Sequence, residues 1–203
     1  MSSQGIEEST TLTSKQRQSR ATQERLLAAA FEEFQLHGLA GARVDRIAER
    51  SKSNKRLIYI YFGDKERLFD TVVARDVEAM LDTVPFEADD LPGYAVELLD
   101  YLEERPEVLR LFSWRNLERM DTSEMEQASY RNKVARIAEA QSAGRLDARL
   151  PAVHMLAFVL GTVGSWAIAS PALRKAAGED AARDRRRESV HEAVARLTAT
   201  SAG

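Results

Sequence analysis

"GLAGARVDRIAERSKSNKRLIYIYFGDKERLF", Gly38 to Phe69, decides the fold. Val44, Ile47 and Ala48 share one face of a short helix. Ser51, Lys52, Ser53 and Asn54 then read as a polar turn, and Asn54 is a suitable N-cap for a further helix through Phe62. On that helix, at roughly 100° per residue, Ile58 and Phe62 point together toward Val44 and Ile47. Arg56 and Ile60 face the opposite way, with Lys55 and Tyr59 on the flank. Upstream, Leu27, Ala30, Phe31 and Phe34 form one apolar stripe that stops at Gly38. A long helix followed by two short ones joined by a tight turn is the arrangement of a helix-turn-helix, in which one helix enters the DNA major groove.

The charge of the segment supports that reading. The chain of 203 residues has a net charge of −3, so it is not coated in positive charge. Between Gly38 and Arg56, however, the cations Arg43, Arg46, Arg50, Lys52, Lys55 and Arg56 face only the anions Asp45 and Glu49. Cations and hydroxyls at such a helix position it on phosphates, and residues near its N-terminus reach base edges. Arg56 suits a bidentate contact to guanine, and Lys55 a point-charge contact to guanine or phosphate. Tyr59 offers a hydroxyl to a phosphate and a ring to a thymine methyl. Asn54 sits at a helix N-terminus, where backbone N–H groups also hold phosphate. Lys65 stands one residue inside the next helix, behind its cap Asp64. Taken singly, a Lys-Arg pair is an ordinary solvated face and Phe62 ordinary core. Their placement on one side of one helix reverses that judgement.

The remainder reads as helix throughout, so the chain is all-α. Residues 1–18 are rich in Ser, Thr and Gln and read as a disordered arm. Residues 19–66 form the helix-turn-helix domain, and 67–203 a helical domain for dimerisation and effector binding. Pro85 to Gly93 is a break; helices are expected at 94–104, 106–119, 123–143, 151–169 and 181–198, with Pro106 and Pro151 in first turns and Ser123-x-x-Glu126 as a capping box. No cysteine is present, which excludes disulfides and thiolate metal sites. The N-terminal segment lacks the apolar stretch of roughly 7–15 residues found in a secretion signal, so a cytoplasmic location is expected. His37, His154 and His191 fall in different elements without metal-ligand spacing, and there is no glycine-rich phosphate loop or nucleophile elbow. No enzyme activity, metal or cofactor is expected.

The quoted stretch resembles the N-terminal signature of the tetracycline-repressor-like (TetR) family of transcriptional regulators. That signature runs Gly, Thr-Thr-Val, Ile-Ala, a turn, then Tyr-x-Tyr-Phe-x-x-Lys-x-x-Leu. Gly38, Val44, Ile47, Ala48, Tyr59, Tyr61, Phe62, Lys65 and Leu68 match it. The chain departs from it at Ala42-Arg43, where the family has Thr-Thr, and at Ser51-Lys52-Ser53-Asn54, where the family has Ala-Gly-Val-Ser. The resemblance implies DNA contacts by Arg43, Asn54, Lys55, Arg56, Leu57, Tyr59, Tyr61 and Lys65. It also implies a two-fold dimer on a palindromic double-stranded operator, with the C-terminal helices as interface and a small hydrophobic or amphipathic effector in the middle region.

The stretch Pro151 to Ser170 is almost wholly apolar, and a helix apolar on every side is buried on every side. Gly161, Gly164, Ser165 and His154 argue against a membrane span. Gly161 and Gly164 suit close helix approach at a dimer interface, with Val190, Val194 and Leu197 of the last helix beside them. Candidates for an effector pocket are Tyr101, Phe112, Trp114, Met120, Met155, Phe158 and Trp166. The competing reading is a helical ligand-binding or protein-interaction module that has lost DNA readout.

Overall fold

A computed structural model describes residues 13–119 and 122–200. Among them the chain forms α1 (Ser14–Gly41), α2 (Val44–Arg50), α3 (Lys55–Phe62), α4 (Lys65–Thr83), α5 (Leu91–Glu104), α6 (Pro106–Glu118), α7 (Glu124–Ser142), α8 (Ala152–Ile168), α9 (Pro171–Ala177) and α10 (Arg183–Thr198), and no strand. The helix starts follow the caps. Asn54 Oδ1 accepts the Arg56 N–H at 2.8 Å, and Asp64 Oδ1 accepts the Arg67 N–H at 2.7 Å. At Ser123 only half of the expected box forms. Its hydroxyl accepts the Glu126 N–H at 3.1 Å, but the Glu126 carboxylate turns to Arg115 at 2.6 Å.

Two expectations on helix limits need correction. The segment 14–18 is helix rather than arm, because Thr13 caps α1: its hydroxyl accepts the Gln16 N–H, and the Gln16 side chain accepts the Thr13 N–H at 2.8 Å. Residues 1–12 lie outside the described part. The interval between the helices expected at 151–169 and 181–198 holds the short helix α9, started by Ser170-Pro171, a signal masked by the long apolar run before it.

Two apolar cores organise the chain. In the first, Leu26, Ala30 and Phe34 of α1, Ile47 of α2, Ile58 of α3 and Leu68, Phe69 and Val72 of α4 pack together with Leu111 of α6. Phe34 and Phe69 meet edge to face, with centroids 5.0 Å apart. In the second, Leu91, Leu98, Ile137, Met155, Val159, Val190 and Val194 join α5, α7, α8 and α10. The division expected at 66/67 thus falls near the start of α4, a continuous helix whose first half packs with α1–α3. Phe31 and Phe112 touch both cores. One face of α8 (Met155, Leu156, Val159, Val163) is buried, while Val153, Phe158, Gly161 and Ile168 on its other face are exposed. No single helix among the described residues is long and apolar enough to cross a membrane.

These cores relocate several expected site residues. Val190 and Val194 are buried against their own chain, so they do not offer an interface. Leu197 packs half-buried beside them. Tyr101 and Met155 are likewise core, and Trp114 is half-buried over Gly38. Phe158 is 51% exposed on the outward face of α8. Of the described residues expected to form a pocket, Trp166 alone lines the cleft of about 500 Å³ beneath α8 and α9. Met120 lies outside the described residues. The cause is common to all: on helices rich in apolar residues, composition does not tell a core face from a cavity face.

Candidate nucleic-acid interface

The turn that aims α3 is fixed by backbone hydrogen bonds. The Ser53 N–H donates to Ala48 O and the Lys52 N–H to Glu49 O, both at 3.0 Å, while the Ser51 hydroxyl donates to Ala48 O. This pair of bonds is the Schellman closure of α2, and it requires a left-handed residue just beyond the cap. Lys52 takes that place with φ 52°. A lysine therefore adopts the left-handed conformation that glycine takes most readily, and its charge joins the basic surface.

Beyond the turn, Ile58 is fully buried and holds α3 down. Asn54, Lys55, Arg56, Tyr59 and Ile60 are exposed, and Leu57 is half-buried. The Lys55 ammonium lies 2.8 Å from Asp45 Oδ1 on α2. The hydrogen bond between them holds the Asp45 carboxyl below its usual range and raises the Lys55 amine. Both side chains stand in solvent, so the pair contributes little to stability and opens readily to a phosphate.

Arg43 is exposed at the start of α2, and its backbone is pinned. The Arg43 N–H donates to Glu33 Oε1 at 2.9 Å, and Arg46 Nε donates to the same oxygen at 2.7 Å. Burial pushes the Glu33 carboxyl up, but the hydrogen bonds from Arg46 and the Arg43 amide outweigh it and leave it below the ordinary value. Two expected contact residues are engaged inside the domain. Lys65 Nζ donates to Leu39 O at 2.7 Å and Ala42 O at 3.3 Å, tying the α1–α2 link to α4. The Tyr61 hydroxyl accepts from Ser19 Oγ at 3.1 Å, tying α3 to α1. Sequence reasoning missed Glu33 and Glu118. Neither has a local pattern, because each acts through a contact distant in sequence.

Glu118 connects this unit to the rest of the chain. At Gly38 (φ 65°, ψ −175°) α1 breaks, and the Glu118 carboxylate accepts the Leu39 and Ala40 N–H groups that the break leaves free. A side chain at Gly38 would meet the Trp114 ring at 2.8 Å. Arg110 Nε donates to Gln35 Oε1 at 3.0 Å, and Arg119 makes a two-point bond to Asp70. So α6 is fastened along α1 and α4.

A helix-turn-helix with a cationic, outward recognition helix, joined to a helical C-terminal half, defines a DNA-binding transcriptional regulator. Comparison with known proteins agrees. Residues 26–72 match the model of the bacterial regulatory proteins of the tetR family, and residues 90–196 that of the tetracyclin repressor-like C-terminal domain. The HTH-type transcriptional repressor SCO4008 of Streptomyces coelicolor is 38% identical over 184 residues, covering 87% of this chain and 95% of that protein. The repressor NicS of Pseudomonas putida is 32% identical over 104 residues, 47% of this chain and 49% of that one. Among solved structures, the Streptomyces coelicolor regulator SCO4942 superposes with a TM-score of 0.78 at 36% identity, covering 87% of this chain and 98% of its own. The chain belongs to the tetR family of regulators.

Proposed function

We propose that the protein is a dimeric repressor that holds a palindromic operator through Arg43, Asn54, Lys55, Arg56, Leu57 and Tyr59, and that a small effector bound in the C-terminal half releases it. The observation that carries the DNA-binding part is the outward face of α3, where Arg56, Tyr59 and Ile60 are exposed over a buried Ile58. Lys65 and Tyr61 set the angle of that face, and a remaining N–H of Lys65 is available to a phosphate. The second copy packs on the exposed face of α8 around Phe158 and Gly161, where nothing lies within 4 Å of an added Cβ. Gly164 borders the cleft beneath α8 and α9. Two recognition helices about 34–36 Å apart then read two half-sites one helical turn apart. Relatives named as repressors support the sign of regulation.

The test is operator selection from random duplexes, followed by the double variant Lys55→Ala/Arg56→Ala. Selection should enrich a palindrome, and the variant should lose binding by more than 100-fold while sedimenting as the same dimer. No enrichment would instead favour a module that has lost DNA readout.

A further inference from the structure

We infer that Ile60, on the reading of α3 as the operator helix given above, is a specificity-determining residue that recognises the C5-methyl group of one thymine in each half-site. Ile60 is 61% exposed and belongs to neither apolar core. It stands two positions beyond the fully buried Ile58, about 200° around the helix, so the packing that holds α3 down also aims Ile60 away from the protein. α3 has eight residues, and one of its outward positions is given to a branched side chain with no polar atom.

A single exposed apolar residue is ordinary on a surface that stays in water. This surface does not stay in water when the protein works. Arg43, Lys52, Lys55 and Arg56 are exposed around the turn and the start of α3, a cationic face suited to a polyanion. Against a duplex, Ile60 loses its water and meets one of three things. Phosphates and the polar edges of bases require hydrogen-bonding groups that isoleucine lacks, and covering them with it costs desolvation without return. The remaining apolar group in the major groove is the thymine methyl, which distinguishes T·A from the other pairs.

The register of that contact follows from Arg56, which lies one turn earlier on the same stripe. The Lys55 ammonium is held 2.8 Å from Asp45 Oδ1, whereas the Arg56 guanidinium has no hydrogen bond or ion pair among the described residues. Arg56 is therefore the cation free to take a guanine edge, the commonest specific contact of arginine. Four residues of helix span about 6 Å, and base pairs are stacked about 3.4 Å apart. On a helix lying along the groove, the thymine read by Ile60 stands about one or two steps from the guanine read by Arg56. Tyr59 is 47% exposed on the flank of this stripe, where its hydroxyl serves a phosphate.

The test begins with the palindrome that the full chain selects from random duplexes. Each thymine of the half-site is replaced in turn, symmetrically, by deoxyuridine, which lacks only the methyl group, and affinity is read by fluorescence anisotropy. One position should respond, by about fourfold per half-site and about fifteenfold for the palindrome. Ile60→Ala should bind the thymine operator about as the unaltered protein binds the deoxyuridine one, and should no longer distinguish the two. Its thermal melt should be unchanged, because the side chain is exposed. Tyr59→Ala should weaken both operators and keep their ratio. A half-site without thymine, a palindrome indifferent to deoxyuridine, discrimination that survives in Ile60→Ala, or discrimination lost in Tyr59→Ala instead would each overturn the role of Ile60 and leave operator binding intact. Failure to enrich any sequence would refute both this role and the operator reading.

Discussion

The break in α1 at Gly38 makes a quantitative prediction about Gly38→Ala. Two costs are separable. At φ 65° and ψ −175° a side chain is strained by about 1–3 kcal/mol. The new methyl also falls 2.8 Å from Trp114 Cε3 and 2.9 Å from Glu118 Oε1, an overpacking penalty of about 1–3 kcal/mol. Together these destabilise by about 2–6 kcal/mol, which at roughly 2–4 °C per kcal/mol for a chain of this size lowers Tm by about 4–24 °C. Thermal and urea unfolding at one fixed protein concentration would measure the loss. The double variant Gly38→Ala/Trp114→Ala isolates the second cost. Removing the ring relieves the overpacking but not the strain, so the two changes should show a favourable coupling of about 1–3 kcal/mol. A loss below about 1 kcal/mol for Gly38→Ala, or strict additivity in the cycle, would refute the assignment of Gly38 to backbone conformation and close approach.

Three further outcomes are expected. Asp45→Ala frees Lys55 for a phosphate and removes a repelling charge, so operator affinity should rise roughly threefold to tenfold at low salt with a steeper salt dependence; unchanged binding would mean the pair is irrelevant to DNA. Lys52→Val, which cannot adopt φ 52° without strain, should cost about 1–2 kcal/mol, whereas Lys52→Gly should be neutral or up to about 1 kcal/mol more stable; equal effects in thermal melts would contradict the turn geometry. For Asp76, burial raises the carboxyl to about 6, with Arg75 opposing and Glu107 adding to the shift. Since the folded value exceeds the unfolded one, stability falls as pH rises from about 4 to 6. Asp76→Asn should therefore gain of order 1–2 kcal/mol at pH 7, allowing for partial solvent screening, and nothing at pH 4; urea melts at the two pH values decide it.

The DNA-binding half was legible because its signals are local. Val44, Ile47 and Ile58 fall at helical spacing, and Asn54 and Asp64 cap the helices that follow. What stayed hidden depends on contacts far apart in sequence. Nothing near Lys65 announces that it will bind the carbonyls of Leu39 and Ala42. Met155 and Phe158 are three residues apart on one apolar helix, yet one is core and the other half in solvent, since only the neighbouring helices decide which face closes. The burial of Lys133 on α7 likewise comes from Phe86 and Tyr94, which arrive from another part of the chain.

The Glu118 bond to the α1 break, with Leu111 lodged in the first core, bears on how this protein can be recombined. Its DNA-reading head is not a detachable cassette. A chimera that keeps residues up to the middle of α4 and grafts a foreign sensor behind them would leave two amide groups without their carboxylate and a hole where Leu111 sits. A transplant that travels together with α6 keeps both, so the unit that evolution or an engineer can exchange intact includes a helix from the other half of the chain.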